Sequence, residues 1–292
     1  MEHAVDPGVS ARWRVTPGPV LGDRPAGTWA ARRDGVPLVV KFFDDATYPD
    51  WRYPVRVADA LHALGWPTPR LADEPIPAAT GTWALFHHLP GRPRPRQQPG
   101  ERRHRGRLLA ELHASAAATG ITVQRNGFAD PASVVSDPAL DRWLRAYERI
   151  DPSSAVPLRR CREAAVAWFA AHPHPDAPRS VIHSDFTPWN LLFDGDRLTG
   201  LLDFEGTHLT FQVADFALSW RGYQDDVLLG YDEVRPLSDL EWHLIRPCYW
   251  AWMFIDLTST PPGHSSVSWQ LAHLHKHSPL LDRKAGPAPR FA

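Results

Sequence analysis

The chain has 292 residues, enough to bury a sizeable core and to form one or two domains, and its 32 basic and 33 acidic side chains leave a formal charge of −1. That balance calls for neither nucleic acid nor a membrane surface as partner, and no apolar run approaches the ~18 residues of a membrane span. The N-terminal stretch lacks a basic run followed by an apolar core, and Cys161 and Cys248 offer neither metal-ligand spacing nor a disulfide framework, so a soluble, cytoplasmic protein is expected. Thirty prolines and 13 tryptophans imply rigid loops and aromatic walls.

In chain order, residues 12–15, 28–32 and 37–43 read as strands, the last two joined by an Asp34-Gly35 turn. Lys41 interrupts the otherwise apolar run 38–43. Such a lysine is costly to bury unless it meets anions; the alternative is an edge strand on which it points to water. Between the first two strands, residues 17–27 carry Gly18, Gly22 and Gly27, whose backbone N–H groups suit a phosphate, but the interspersed prolines remove donors and no ligand is assigned there. Residues 53–64 read as a helix with Val57, Ala60, Leu61 and Leu64 on one face, and 83–88 as a further strand. The arginine-rich segment that follows, from Arg92 to Arg107, reads as a solvated face, and 107–118 as a helix in which His113 is a core histidine. Helices are expected over 138–150 and 155–171, then 237–257. His172 and His174 read as surface groups, and His273 and His277 lack a carboxylate or cysteine to complete a metal site.

The stretch VIHSDFTPWNLLFDGDRLTGLLDFEG, 181–206, concentrates the chemistry. Residues 181–182, 190–193 and 197–202 read as short buried strands, with Asp194-Gly195-Asp196 as the turn of a hairpin. Pairing Phe193 near Arg197 sets Asn190 opposite Gly200, with Asp203 about three residues, or ~10 Å, beyond. Asp185 stands on the loop that enters the hairpin. Two carboxylates and an amide oxygen suit a hard cation that takes few protein ligands and keeps waters and substrate phosphates for the rest, which describes Mg²⁺. An ordinary polar hairpin, with Asp185 capping the next turn, is the plain alternative.

HSDFTPWN, 183–190, has the H-x-D-x-x-x-x-N form of a kinase catalytic loop, and Asp203-Phe204-Glu205 lies where kinases carry their second metal-binding Asp. On these residues the chain resembles the aminoglycoside phosphotransferase and choline kinase-like family of small-molecule kinases. The resemblance implies an α+β, two-lobed protein kinase-like fold, with a small antiparallel-sheet N-lobe over 1–89 and a larger, mainly helical C-lobe over 90–292. It implies a γ-phosphoryl transfer from ATP or GTP, with Mg²⁺, to a hydroxyl of a small acceptor such as an antibiotic or related natural product. Asp185 would orient that hydroxyl, and Asn190 and Asp203 would hold the metal. Lys41, in a V-V-K-F context similar to the V-A-I-K strand, would meet the nucleotide phosphates. Leu89-Pro90-Gly91 resembles the family's hinge, so backbone groups of His87 and Leu89 would face the base.

Two departures accompany the resemblance. No G-x-G-x-x-G is present. The helix position that pairs a Glu with the strand lysine is occupied by Val57, which leaves Asp59, Asp44, Asp45 or no partner at all for Lys41. Asp215, in a segment resembling the family's D-L-A helix start, is either a cap or a brace of the loop. Glu205, Asp225, Asp226 and Asp256 are the acids available for a cationic acceptor, and the tryptophans hint at an aromatic or apolar acceptor unless all face inward. A catalytically inactive, kinase-shaped binding protein is the main rival. A hydrolase built on Ser184 and His183 is weaker, lacking a G-x-S-x-G elbow, and a protein kinase lacks its A-P-E segment. A monomer or homodimer is expected.

Overall fold

A computed structural model describes every residue except 1–3, 22–26, 96, 97, 99, 174, 290 and 292. Gly22 of the glycine-bearing loop, Arg96 and His174 therefore lie outside the described residues. In chain order the elements are α1 (Pro7–Trp13), β1 (Thr16–Val20), β2 (Thr28–Arg33), β3 (Val36–Asp44), α2 (Arg52–Ala63), β4 (Ile76–Ala78), β5 (Gly81–His87) and β6 (Arg92–Pro93). They continue with α3 (Glu101–Ala118), α4 (Pro131–Ser136), α5 (Pro138–Glu148), α6 (Pro152–Ala171), β7 (Arg179–Ile182), β8 (Leu191–Asp194), β9 (Arg197–Leu201) and β10 (His208–Phe211). The last are α7 (Phe216–Trp220), α8 (Asp225–Val234), α9 (Asp239–Met253), α10 (Ser268–Leu274) and α11 (Pro279–Ala285). Their contacts fall into two compact units, Met1–Pro95 with Pro188–Thr207, and Arg96–Thr187 with His208–Ala292. Among the described residues no helix is long and apolar enough to cross a membrane.

The first unit contains an antiparallel sheet in the order β1-β2-β3-β5-β4. Asp34 and Gly35 both adopt left-handed φ, 51° and 80°, the geometry that matches strand twist in a two-residue hairpin. One sheet face packs Trp29, Ala31, Leu38, Val40, Trp83 and Leu85 against Val9 and Trp13. The expected strand at 12–15 is thereby corrected: Asp6 accepts the N–H groups of Gly8 and Val9, Pro7 opens a helix, and Val9 and Trp13 are buried one turn apart on it. The other face carries Phe43, Ala84 and Phe86 with Trp51. The same unit contains a second sheet, β6-β8-β9.

The second unit is mainly helical, with one small antiparallel pair, β7 and β10. Helices α3 and α8 approach closely because glycine lies at both crossing points. A Cβ on Gly106 would run into the Val227 carbonyl, and one on Gly230 into the Arg103 carbonyl. Gly106→Ala is accordingly expected to cost roughly 1–3 kcal/mol through overpacking, read as a lower denaturation midpoint, whereas alanine at Gly120 at the exposed end of α3, where nothing lies within contact, meets only its own φ of 68°.

Helix α3 starts at Glu101, well before the expected residue 107, and this changes the reading of the arginine segment. Arg105 is 2% exposed, donating to Glu101, to the Ser219 carbonyl at 2.6 Å and to Gln224 at 2.8 Å. The expected solvated face holds for Arg103 and Arg107, which share Glu233 at the surface. Cys161 and Cys248 are buried and unbridged, with burial pushing both thiols up, in keeping with packing roles. His273 belongs to α10 while His277 follows it and bonds Asp282, so the two do not share a helix.

Candidate active site

The hairpin β8–β9 follows from its sequence: apolar strands flank a Gly195-Asp196 turn, with Gly195 at φ 59°. Its register differs from expectation by two residues. Asp194, not Phe193, pairs with Arg197, and the ladder then shifts at a bulge between the Phe193–Leu198 and Leu192–Gly200 pairs. The bulged residue is Thr199, whose hydroxyl donates to the Pro90 carbonyl at 2.7 Å. Leu202 therefore donates its N–H to the Asn190 carbonyl at 2.8 Å, so Asp203 is one residue past the Asn190 pairing instead of three. The two residues are thus closer along the hairpin than the sequence register implies.

Asp203 sits at φ 63°, a left-handed turn that an aspartate tolerates, and leads into the 3₁₀ turn Phe204–Gly206. On β3, Lys41 lies opposite Ala84 of β5 and Thr28 of β2, on the middle strand of its sheet, so the edge-strand alternative is excluded. Its ammonium forms an ion pair with Glu205. Burial lowers the lysine pKa, opposed by the charge of Asp203, so Lys41, Asp203 and Glu205 share one electrostatic environment inside the first unit. None of the acids considered for Lys41 serves it: Asp44 accepts the Thr47 amide and hydroxyl, while Asp45 and Asp59 are exposed. Val57, buried at 1% exposure, supplies packing only. On β5, the His87 N–H donates to the Arg70 carbonyl at 2.9 Å and is committed to that bond.

Asp185 belongs to the second unit, just after β7. Its loop is held from beneath by Asp215, 1% exposed, which accepts the His183 N–H at 2.8 Å and the Ser184 N–H at 2.7 Å. Asp215 caps no helix; of the two roles open to it, the loop brace is the one observed. Its Oδ2 also accepts from His113 Nε2 at 3.1 Å. A carboxylate only accepts here, so His113 carries its proton on Nε2, and Nδ1 takes the Tyr231 hydroxyl proton at 2.8 Å. Arg235 then donates to the Tyr231 oxygen at 2.8 Å. The core histidine expected at 113 is thus a fully buried relay to the loop. Two further bonds finish the loop: His183 Nδ1 accepts the Asp185 N–H at 3.2 Å, and Ser219 donates to the Phe186 carbonyl at 2.6 Å. His183 is therefore committed to loop geometry, which removes the basis for a serine hydrolase.

The pairing of Glu205 with Lys41, the Tyr231–Arg235 extension and the Arg105 contact to Ser219 escaped the sequence reading. Only Glu205 carried a signal, its place two residues after Asp203. Of the tryptophans in the second unit, Trp143, Trp220, Trp242 and Trp250 are buried, Trp168 and Trp252 partly so, and Trp269 is 43% exposed. The aromatic hint thus stays open on the partly exposed tryptophans, Trp189 of the first unit included, and among them Trp252 and Trp269 have ring centroids 4.8 Å apart.

Residues 23–240 match the phosphotransferase enzyme family. The homoserine kinase of Gluconobacter oxydans is 30% identical over 149 residues, 47% of this chain and 45% of that protein. The homoserine kinase of Rhizobium johnstonii is 28% identical over 194 residues, 57% of each. The chain spans about half the length of these curated relatives. Among solved structures, a thermostable mutant of aminoglycoside phosphotransferase APH(4)-Ia, in ternary complex with ADP and hygromycin B, matches with a TM-score of 0.64 at 14% identity, covering 97% of this chain and 99% of that one. Spectinomycin phosphotransferase APH(9)-Ia, in complex with ADP and spectinomycin, matches with a TM-score of 0.57 at 12% identity, covering 89% and 87%. At these identities the likeness establishes the fold, the protein kinase-like α+β architecture expected above.

Proposed function

The chain belongs to the phosphotransferase enzyme family, and from that premise we propose that it transfers the γ-phosphoryl group of ATP or GTP to a hydroxyl of a small acceptor. The observation that carries this reading is the convergence, within one compact unit, of a largely shielded lysine held by a carboxylate and the closely registered pair Asn190 and Asp203. An amide oxygen and one carboxylate fit Mg²⁺, which keeps waters and substrate phosphates as its remaining ligands. When bound, such an ion neutralises charge on the phosphates. Lys41 positions the phosphates, the His87 carbonyl and the Leu89 N–H meet the base, and Asp185 accepts or orients the acceptor hydroxyl proton. In this assignment 1–89 is the nucleotide lobe, and 90–292 carries the catalytic loop, the metal site and the acceptor pocket, with its segment 188–207 packed in the same compact unit as the nucleotide lobe.

For the acceptor, we favour a hydroxylated natural product of the antibiotic kind with an apolar or planar part, over a polycation. Two of the four acids available to a polycation are engaged elsewhere: Glu205 pairs with Lys41, and Asp225 accepts from Trp220, Ser278 and the Leu280 N–H. An aromatic series runs from the catalytic loop through Ser219, Trp220, Tyr249 and Trp252 to the exposed Trp269. The relatives point to small hydroxylated acceptors, with homoserine kinases among the sequences and hygromycin B and spectinomycin named in the complexes.

Calorimetric titration of ATP and of GTP, each with Mg²⁺, into the wild-type protein and Asp203→Ala tests the reading and identifies the donor. Metal-dependent binding that weakens at least about tenfold in the variant is expected, since each 1.4 kcal/mol of lost interaction is a factor of ten. Absence of binding for both nucleotides would leave a kinase-shaped protein without turnover.

A further inference from the structure

We infer that Glu205 is the residue that positions Lys41 for the nucleotide, so that the lysine and the metal-binding Asp203 are set by one short turn and not by a helix acid. This rests on the phosphotransferase reading and goes beyond it. An ammonium drawn out of water on the middle strand of a sheet requires a carboxylate partner, because an unpaired buried charge is far more costly than a paired one. Helix α2 offers none on its packed face, which is Tyr53, Pro54, Val57, Ala58 and Leu61. The turn Phe204–Gly206 packs against α2 instead, with Phe204 buried, and presents Glu205 to Lys41. Both partners are largely shielded, with side-chain exposures of 22% and 16%, so the pair is not the weak, screened type found on open surface.

The consequence is a coupling. Asp203 in its left-handed conformation begins the turn and Glu205 is its middle residue, so any displacement of the turn moves the metal carboxylate and releases the phosphate lysine together. In an arrangement with a helix acid, the two would be held by separate elements.

A double-mutant cycle read by ADP binding in the absence of metal tests this, with Lys41→Met, Glu205→Gln and the double variant. Glutamine keeps the shape of the side chain and removes only its charge. Expected is a loss of about tenfold for each single variant, with the double variant no weaker than Lys41→Met alone. Glu205→Asp should recover most of the loss, and the KM for nucleotide should rise in Glu205→Gln in the same proportion. Additive losses, or a loss seen only when Mg²⁺ is present, would overturn the inference by placing Glu205 on the metal. Tighter ADP binding in Glu205→Gln would overturn it by making Glu205 a competitor for the lysine. A wild-type protein that binds no nucleotide would remove the phosphotransferase reading itself, and this inference with it.

Discussion

Asp185→Asn is expected to lower the turnover of phosphoryl transfer by roughly 10²–10⁴, the range that a positioned acid–base group contributes, while nucleotide affinity stays within twofold of wild type. Asparagine preserves the size of the side chain and leaves in place the bond from the Asp185 N–H to His183 and that from Ser219 to the Phe186 carbonyl, so the loop keeps its shape. What it loses is a carboxylate able to accept the hydroxyl proton. The measurement is a steady-state assay with a phosphorylated acceptor as product, run beside calorimetric ADP titration. Equal loss of turnover and of ADP affinity would mean that Asp185 holds nucleotide or metal and does not orient the acceptor.

Asp215→Ala is expected to destabilise the second unit by roughly 3–5 kcal/mol, the cost of removing one member of a buried charged set. The His183 and Ser184 N–H groups and His113 Nε2 would all lose their acceptor in a region without solvent. Asp215→Asn should recover only part of this, because both carboxylate oxygens now accept and an amide must turn a donor toward one of those donors. Chemical denaturation of the two variants against wild type measures the difference. The same group shapes the acid limb of stability. Burial alone would raise the Asp215 pKa, but the hydrogen bonds it accepts from His113 and from the His183 N–H outweigh it and hold the carboxyl below its ordinary 3.8. A group depressed in the folded state contributes fully above its unfolded pKa and loses that contribution as pH falls through the folded one. Wild-type stability should therefore decline below about pH 4, and Asp215→Asn should flatten that part of the profile.

The chemistry-bearing residues were legible because they crowd into a short span. From Asp185 to Asp203 the chain carries its spacing, its turn residues and its apolar strands in one continuous stretch, and two short apolar runs around a Gly-Asp turn suffice to foretell a hairpin. The register was not legible. It depended on Thr199 leaving the ladder to bond Pro90, a residue that sequence cannot place beside it. The helix at Pro7–Trp13 was missed for a different reason: read from Arg12 onward, a few alternating residues mimic a strand, and only the Asp6-Pro7 start and the Val9–Trp13 pair disclose a helical period.

By itself, then, the sequence determined the candidate residues for phosphoryl transfer and the local elements on which they stand, because turns, caps and strand periods are set by neighbours in the chain. The tertiary structure alone decided which charges meet. Lys41 finds Glu205 instead of any acid on α2, Arg105 leaves an apparently solvated run to bond Ser219 and Gln224, and Asp215 braces the catalytic loop instead of capping its own helix. In each case the partner lies more than 30 positions away, and the driving force is the cost of a buried charge without a counter-charge or donor. That cost arises only once burial has been settled by the packing of the whole fold.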